Sequence, residues 1–167
     1  MTRIVNSMTA FQLNMKTLYD IEKQLENILP LMADAATDEE LKNGFRSILQ
    51  ETRMHMDGLE KIFDLIDMTP AKHTSAGIRG IIEDASEVIN NEPAGPIKDV
   101  MLAVAARALE HFEIANYMSA IDEASNLGLS KAVDLLEDIL EDKEFADKNL
   151  ALTMQEDLKL VEDEARY

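Results

Sequence analysis

The 167-residue chain contains no cysteine and no tryptophan. Without thiols it has no disulfide scaffold, no thiolate nucleophile and no cysteine-ligated zinc or iron–sulfur centre. Six glycines and four prolines are few for this length, so turns are rare and elements are long. Aromatic residues make up only 5%, which leaves the core to aliphatic side chains and ten methionines. Basic residues are also scarce: 16 Lys and Arg face 33 Asp and Glu, for a net charge of −17. That charge repels phosphates and excludes nucleic acid as the main partner, while leaving cations open. No apolar run approaches the roughly 20 residues that span a bilayer, so no membrane association is expected. The opening Met1-Thr2-Arg3-Ile4-Val5-Asn6 lacks a basic stretch followed by an apolar one, so no signal peptide is expected. A reducing cytoplasm is the expected compartment. Hydrophobic residues at 46% are ample for a core, and the length fits one domain, 1–167.

The few breakers fall between periodic segments. Thr9-Ala10-Phe11-Gln12 reads as a capping box opening a first helix that runs to about Ala35, with Pro30 inside it to bend the last turns. Thr37-Asp38-Glu39-Glu40 is a second capping box, and its helix runs to about Asp67. A shorter helix spans about Ser75 to Asn90. The turn Glu92-Pro93-Ala94-Gly95-Pro96 leads into a third long helix ending near Asn126-Leu127-Gly128. Ser130 is placed to cap a last helix that reaches at least Leu160. No strand pattern is present. The fold class is therefore all-α: four long helices, with one short helix in the connection between the second and third.

Each long helix carries an apolar seam with a polar interruption near its middle. The first reads Phe11, Met15, Leu18, Glu22, Leu25, Leu29, Met32, apolar except for Glu22. In the second, Thr52 and His55 interrupt a run from Leu41 to Ile66, and Glu51 projects on the same side as His55. The third is apolar nearly all round. One stripe, Ile97, Met101, Val104, Ala108, His111, Ala115, Met118, puts His111 inside. The other, Ala103, Ala106, Glu110, Glu113, Tyr117, Ala120, Ala124, puts Glu110 and Glu113 inside. Periodicity does not choose between them, and a helix apolar on two sides points to a second contact such as another subunit. In the last helix Lys143 and Asp147 interrupt the seam, with Asp142 flanking. A buried carboxylate needs a partner. Opposed carboxylates and a histidine in a four-helix bundle form a ligand set for two hard or borderline ions such as iron or manganese.

Leu18-Tyr19-Asp20-Ile21-Glu22-Lys23-Gln24-Leu25 resembles the opening signature of the YciE/YciF-type ferritin-like stress proteins. So do Glu51-Thr52 followed by His55, and Glu110-His111-Phe112-Glu113-Ile114-Ala115-Asn116-Tyr117 with Leu127-Gly128 after it. Ile78 to Asn90 is similar to the short crossover helix of that family. The resemblance covers roughly Phe11 to Leu150. It implies a ferritin-like four-helix bundle, commonly a homodimer, with a rubrerythrin-like dimetal centre of two iron or manganese ions per chain. It also implies a stress role, with peroxide or oxygen as substrate. Carried over by motif, the implied metal ligands are Glu22, Glu51, His55, Glu110 and Glu113, joined by Asp142 and Asp147 from the last helix. His111, Lys143 and Tyr117 would touch those ligands from behind. The family usually has two adjacent acids in the last helix and an Asp a turn later, whereas here Asp142-Lys143 stand before Asp147. If the second acid is a ligand, Lys143 removes it and sets an ammonium where a metal belongs.

Two main functions follow. One is an oxidoreductase-like dimetal protein reacting with peroxide or oxygen. The other is a non-enzymatic acidic helical dimer, a structural or interaction stress protein with an impaired metal site. Iron storage in a hollow shell shares the fold and ranks below both. No glycine-rich phosphate loop and no nucleophile elbow support a nucleotide-binding or hydrolase reading.

Overall fold

The structure is a computed structural model that describes residues 4–164. Met1, Thr2 and Arg3, part of the opening stretch tested above for a targeting signal, lie outside the described residues. Five helices follow one another: α1 (Ser7–Ala35), α2 (Glu39–Leu65), α3 (Ala76–Asn91), α4 (Pro96–Asn126) and α5 (Ser130–Glu164). Among the described residues there is no strand, and no helix is long and apolar enough to cross a membrane.

The helix ends differ from the sequence expectation in ways that local hydrogen bonding explains. α1 starts before Thr9, because the Asn6 side chain accepts from the Thr9 amide while Thr9 Oγ1 accepts from the Asn6 amide. Pro30 sits inside α1, which nevertheless continues to Ala35. Asp38, not Thr37, caps α2 by accepting from the Leu41 amide at 2.7 Å. Thr37 instead donates its amide and hydroxyl to Asp99, at the start of α4. α2 stops at Leu65, and Asp67 turns into the left-handed region with φ 53°. Ser75, expected as the first residue of the short helix, instead caps α3 by accepting from the Ile78 amide. Ser130 is the first residue of α5, not its cap.

α1 and α2 pack side by side, as do α4 and α5, while α2 meets α5 and α1 meets α4 to close a four-helix bundle. α3 lies in the crossover against α4 and α1. Two apolar clusters fill the bundle, one towards each end. The first includes Leu25, Leu29, Phe45, Leu102 and Leu109. The second includes Phe11, Leu18, Leu59, Phe63 and Leu136. Burial of such side chains contributes about 1.5–3 kcal/mol each, which is what holds the long helices together. Between the clusters lies a layer of fully buried polar side chains: Glu22, Thr52, His55, Glu110, Glu113 and Lys143.

The ambiguity of α4 is resolved here. Ala103, Ala106, Glu110, Glu113, Tyr117, Ala120 and Ala124 all face inward. The opposite stripe is outside: Ile97, Val104 and Met118 are more than half exposed, and His111 is exposed as well. The reading that placed His111 inside is therefore corrected.

Candidate functional site

The seams bring Glu22 (α1), His55 (α2), Glu110 and Glu113 (α4) and Lys143 (α5) to mid-bundle, each 3% exposed or less. Lys143 is the hub. Its ammonium lies 2.9 and 3.0 Å from the two Glu113 oxygens, and 3.2 and 3.3 Å from those of Glu22. Three N–H groups face four oxygens, so one is left over, and Glu113 Oε1 has no well-aligned donor. Tyr117 donates to Glu22 Oε1 at 2.7 Å. His55 Nδ1 stands 3.5 Å from the same oxygen, too far for a good bond, and is unpartnered; Nε2 lies 3.0 Å from Asp142 Oδ2. Glu110 Oε2 and Thr52 Oγ1 are buried without partners.

The outer members are less enclosed. Glu51 is half-buried and Asp142 half-exposed beyond His55. Glu51 lines a groove of about 370 Å³ between α2 and α5, with Ser47, Ile48, Phe145 and Asn149. Asp147 is not part of the centre. It pairs with Arg107 at 2.8 Å and with His111 at 3.2 Å, on the flank of the α4–α5 contact. Its expected place beside the other carboxylates is corrected, and so is that of His111, which is exposed and faces Asp147. The role of Arg107 was not read from the sequence. Its one signal was a base within the nearly all-apolar stretch 100–109, four residues before His111.

The electrostatics follow from burial and from the ammonium. Burial pushes Glu22 up, but Lys143, then His55 and the Tyr117 hydroxyl, outweigh it and hold the carboxyl down at about 2. Burial dominates at Glu110, raising it to about 7, and at Glu113, also raised despite Lys143. Burial works against the charge on Lys143, yet Glu113, Glu22 and Glu110 together keep it firmly protonated. Tyr117 is raised by burial and by Glu22, so it remains a donor. Glu51 is raised by burial and then by Asp142.

These groups give a testable pH dependence. The raised folded-state values of Glu110 and Glu113 mean that the folded chain holds protons the unfolded chain has released. The stability they contribute is fully present below the unfolded value of 4.5 and is lost as pH rises through about 7 for Glu110. Asp157, raised to about 6 first by burial and then by Asp38 and Asp99, acts in the same sense. Glu22 acts oppositely, its contribution vanishing as pH falls from 4.5 towards about 2. Melting followed by circular dichroism should thus give a Tm roughly 5 °C higher at pH 5 than at pH 8. A Tm that is flat or higher at pH 8 would contradict this assignment.

Two dications need several ionised carboxylates converging on a shared space. Here one firmly ionised carboxylate, Glu22, is already balanced by one internal cation, and that cation lies between the oxygens that would have to bridge metals. Among the described residues no three His, Asp or Glu side chains converge so as to hold a metal ion. The residues present do not fit a dimetal centre, and Lys143 is the reason.

Residues 7–164 match the family described as domain of unknown function DUF892. Protein YciF of Escherichia coli strain K12 is 31% identical over 150 residues, covering 83% of this chain and 90% of YciF. The crystal structure of the Escherichia coli stress protein YciF superposes with a TM-score of 0.89 at 27% identity, covering 93% of this chain and 99% of that one. YcfI of Rhodopseudomonas palustris, named as a candidate structural protein, superposes with a TM-score of 0.86 at 28% identity, covering 89% and 94%.

Proposed function

The chain belongs to the DUF892 family, with the stress protein YciF as a relative, and from that premise we propose that it acts as a non-enzymatic helical stress protein. Its central carboxylate layer is neutralised by its own lysine instead of by iron or manganese. The observation that carries this reading is the Lys143 ammonium seated between Glu22 and Glu113, 1% exposed. A filled and charge-balanced centre has no open coordination position for peroxide or oxygen. The layer then serves to specify the bundle. Its Lys143 ion pairs and the Tyr117–Glu22 hydrogen bond form in only one register of α1, α4 and α5, whereas the apolar clusters on either side tolerate sliding.

The working surface on this reading is the outside of α4. Ile97, Met101, Val104, Ala108, Ala115 and Met118 form an outward stripe of apolar residues in an otherwise acidic molecule. The stripe, with His111 among its members, runs along one face of α4, and a two-fold contact sets such a patch against the same patch of a second copy. The natural occupant is therefore the same helix of a partner chain.

The test is metal analysis with peroxide consumption on purified protein loaded with Fe²⁺ or Mn²⁺ and then desalted. Well under one ion per chain and no peroxide loss above buffer are expected. About two ions per chain, with turnover, is the result that overturns the reading.

A further inference from the structure

We infer that the groove between α2 and α5 binds a linear aliphatic amine carrying a positive charge at each end. Its volume of about 370 Å³ lies within the range of small-ligand pockets, and of the side chains described at the centre only Glu51 reaches it. Glu40, Gly44, Ser47 and Glu51 line it at spacings of four, three and four residues, so all four share one face of α2. The two small residues between the acids leave the space open: a β-carbon built on Gly44 meets nothing within 4 Å. The buried Leu41, Ile48 and Leu150 give the groove an apolar floor, and Phe145, 61% exposed, lines its α5 side.

Charge and length select the occupant. The lining holds two carboxylates and no Lys, Arg or His, in a chain of net charge −17. Glu51 is half-buried, and its one side-chain hydrogen bond, from Ser47, is long at 3.4 Å. Burial and the nearby Asp142 work against its charge, and His55 and Lys143 do not offset them, so a cation beside it is favoured. Eleven residues of helix set Glu40 and Glu51 about 16 Å apart along the axis. No single inorganic ion reaches both acids. A chain of twelve methylenes between two nitrogens extends over about 16 Å and does reach both. Its methylenes lie against Leu41, Ile48 and Leu150, while the Phe145 ring offers its face to the chain or to an ammonium.

The test is titration calorimetry at about 0.15 M salt, which screens unspecific attraction to the acidic surface. The probes are α,ω-diaminododecane, spermine, which has a similar reach with two further charges, and putrescine, which is too short to bridge the two acids. A long probe is expected to bind once per chain and at least roughly tenfold tighter than putrescine. Gly44→Leu fills the groove without changing the charge and should weaken that binding roughly tenfold. Glu40→Gln and Glu51→Gln should each weaken it several-fold, while Glu137→Gln, exposed on α5 and outside the groove, should leave it unchanged. If Gly44→Leu loses its helical signal, the combined Glu40→Gln and Glu51→Gln variant decides in its place. Preference for spermine assigns the site to polyamines and preference for diaminododecane assigns it to alkyl diamines, either one supporting the inference. No binding of a long probe, equal affinity for long and short probes, or a loss in Glu137→Gln as large as in Glu51→Gln overturns it, the last two showing attraction to the acidic surface alone.

Discussion

Lys143→Met is expected to lower stability by about 3–5 kcal/mol, the largest effect of any conservative-volume change in this chain. Methionine keeps the length of the side chain and its packing. What disappears is the counter-charge to Glu22, which stays buried at 0% exposure with only Tyr117 and a distant imidazole as partners. At about 2–4 °C per kcal/mol for a domain of this size, the melting temperature should fall by roughly 10 °C. Adding Glu22→Gln to Lys143→Met should recover a large part of the loss, because it removes the stranded anion while Tyr117 keeps an amide oxygen to donate to. Urea unfolding of the three proteins at pH 7 measures this. If the double variant is no more stable than the single one, the ion pair is not what holds the layer.

The second large effect is expected at Asp99. This residue, 1% exposed at the start of α4, accepts from the amides of Thr37 and Asp38 at 2.7 and 2.9 Å and from the Thr37 hydroxyl. It thereby fastens the α1–α2 connection to α4 across the end of the bundle. Asp99→Ala removes the acceptor shared by an exposed Thr37 and a partly buried Asp38, whose freed donors water only partly satisfies, at a cost of about 1–3 kcal/mol. Asp99→Asn retains one acceptor oxygen and relieves the repulsion among Asp99, Asp38 and Asp157, so its loss should be smaller. The urea midpoint should drop in the order Asn then Ala, with the slope of the transition unchanged. A midpoint for Asp99→Ala equal to that of wild type would show that the connection is held by packing alone.

Both sites illustrate one division of labour along the bundle. Apolar clusters at the two ends supply most of the stabilisation, and their contacts are non-directional. The polar groups of the mid-layer and of the Asp99 anchor set register, because hydrogen bonds and ion pairs are satisfied in one alignment only. On this account Asp147, although on the seam of α5, contributes at the flank, where Arg107 and His111 face it in partial solvent. Surface pairs of that kind are worth little, so neither Arg107 nor His111 should matter to the fold as Lys143 does.

Much of this was legible in the residues alone. Helix periodicity is a local property, so the seams of α1 and α2 and the inward position of Glu22, Thr52 and His55 followed directly from spacing. The resemblance to the stress-protein family is borne out in family and fold. Helix starts moved by one to three residues, because caps depend on which side chain reaches which amide. The facing of α4 was not legible, since both of its stripes are apolar and only contact with α1 and α5 selects one. The same holds for the charge at the centre. Sequence alone determined that ionisable groups would meet at mid-bundle and that one of them was a lysine. Whether that lysine stands behind the carboxylates or among them depends on the relative height of α1, α4 and α5, which is set by how the two apolar clusters pack. Only the tertiary structure decided that the ammonium sits between Glu22 and Glu113 and that Asp147 lies apart from them.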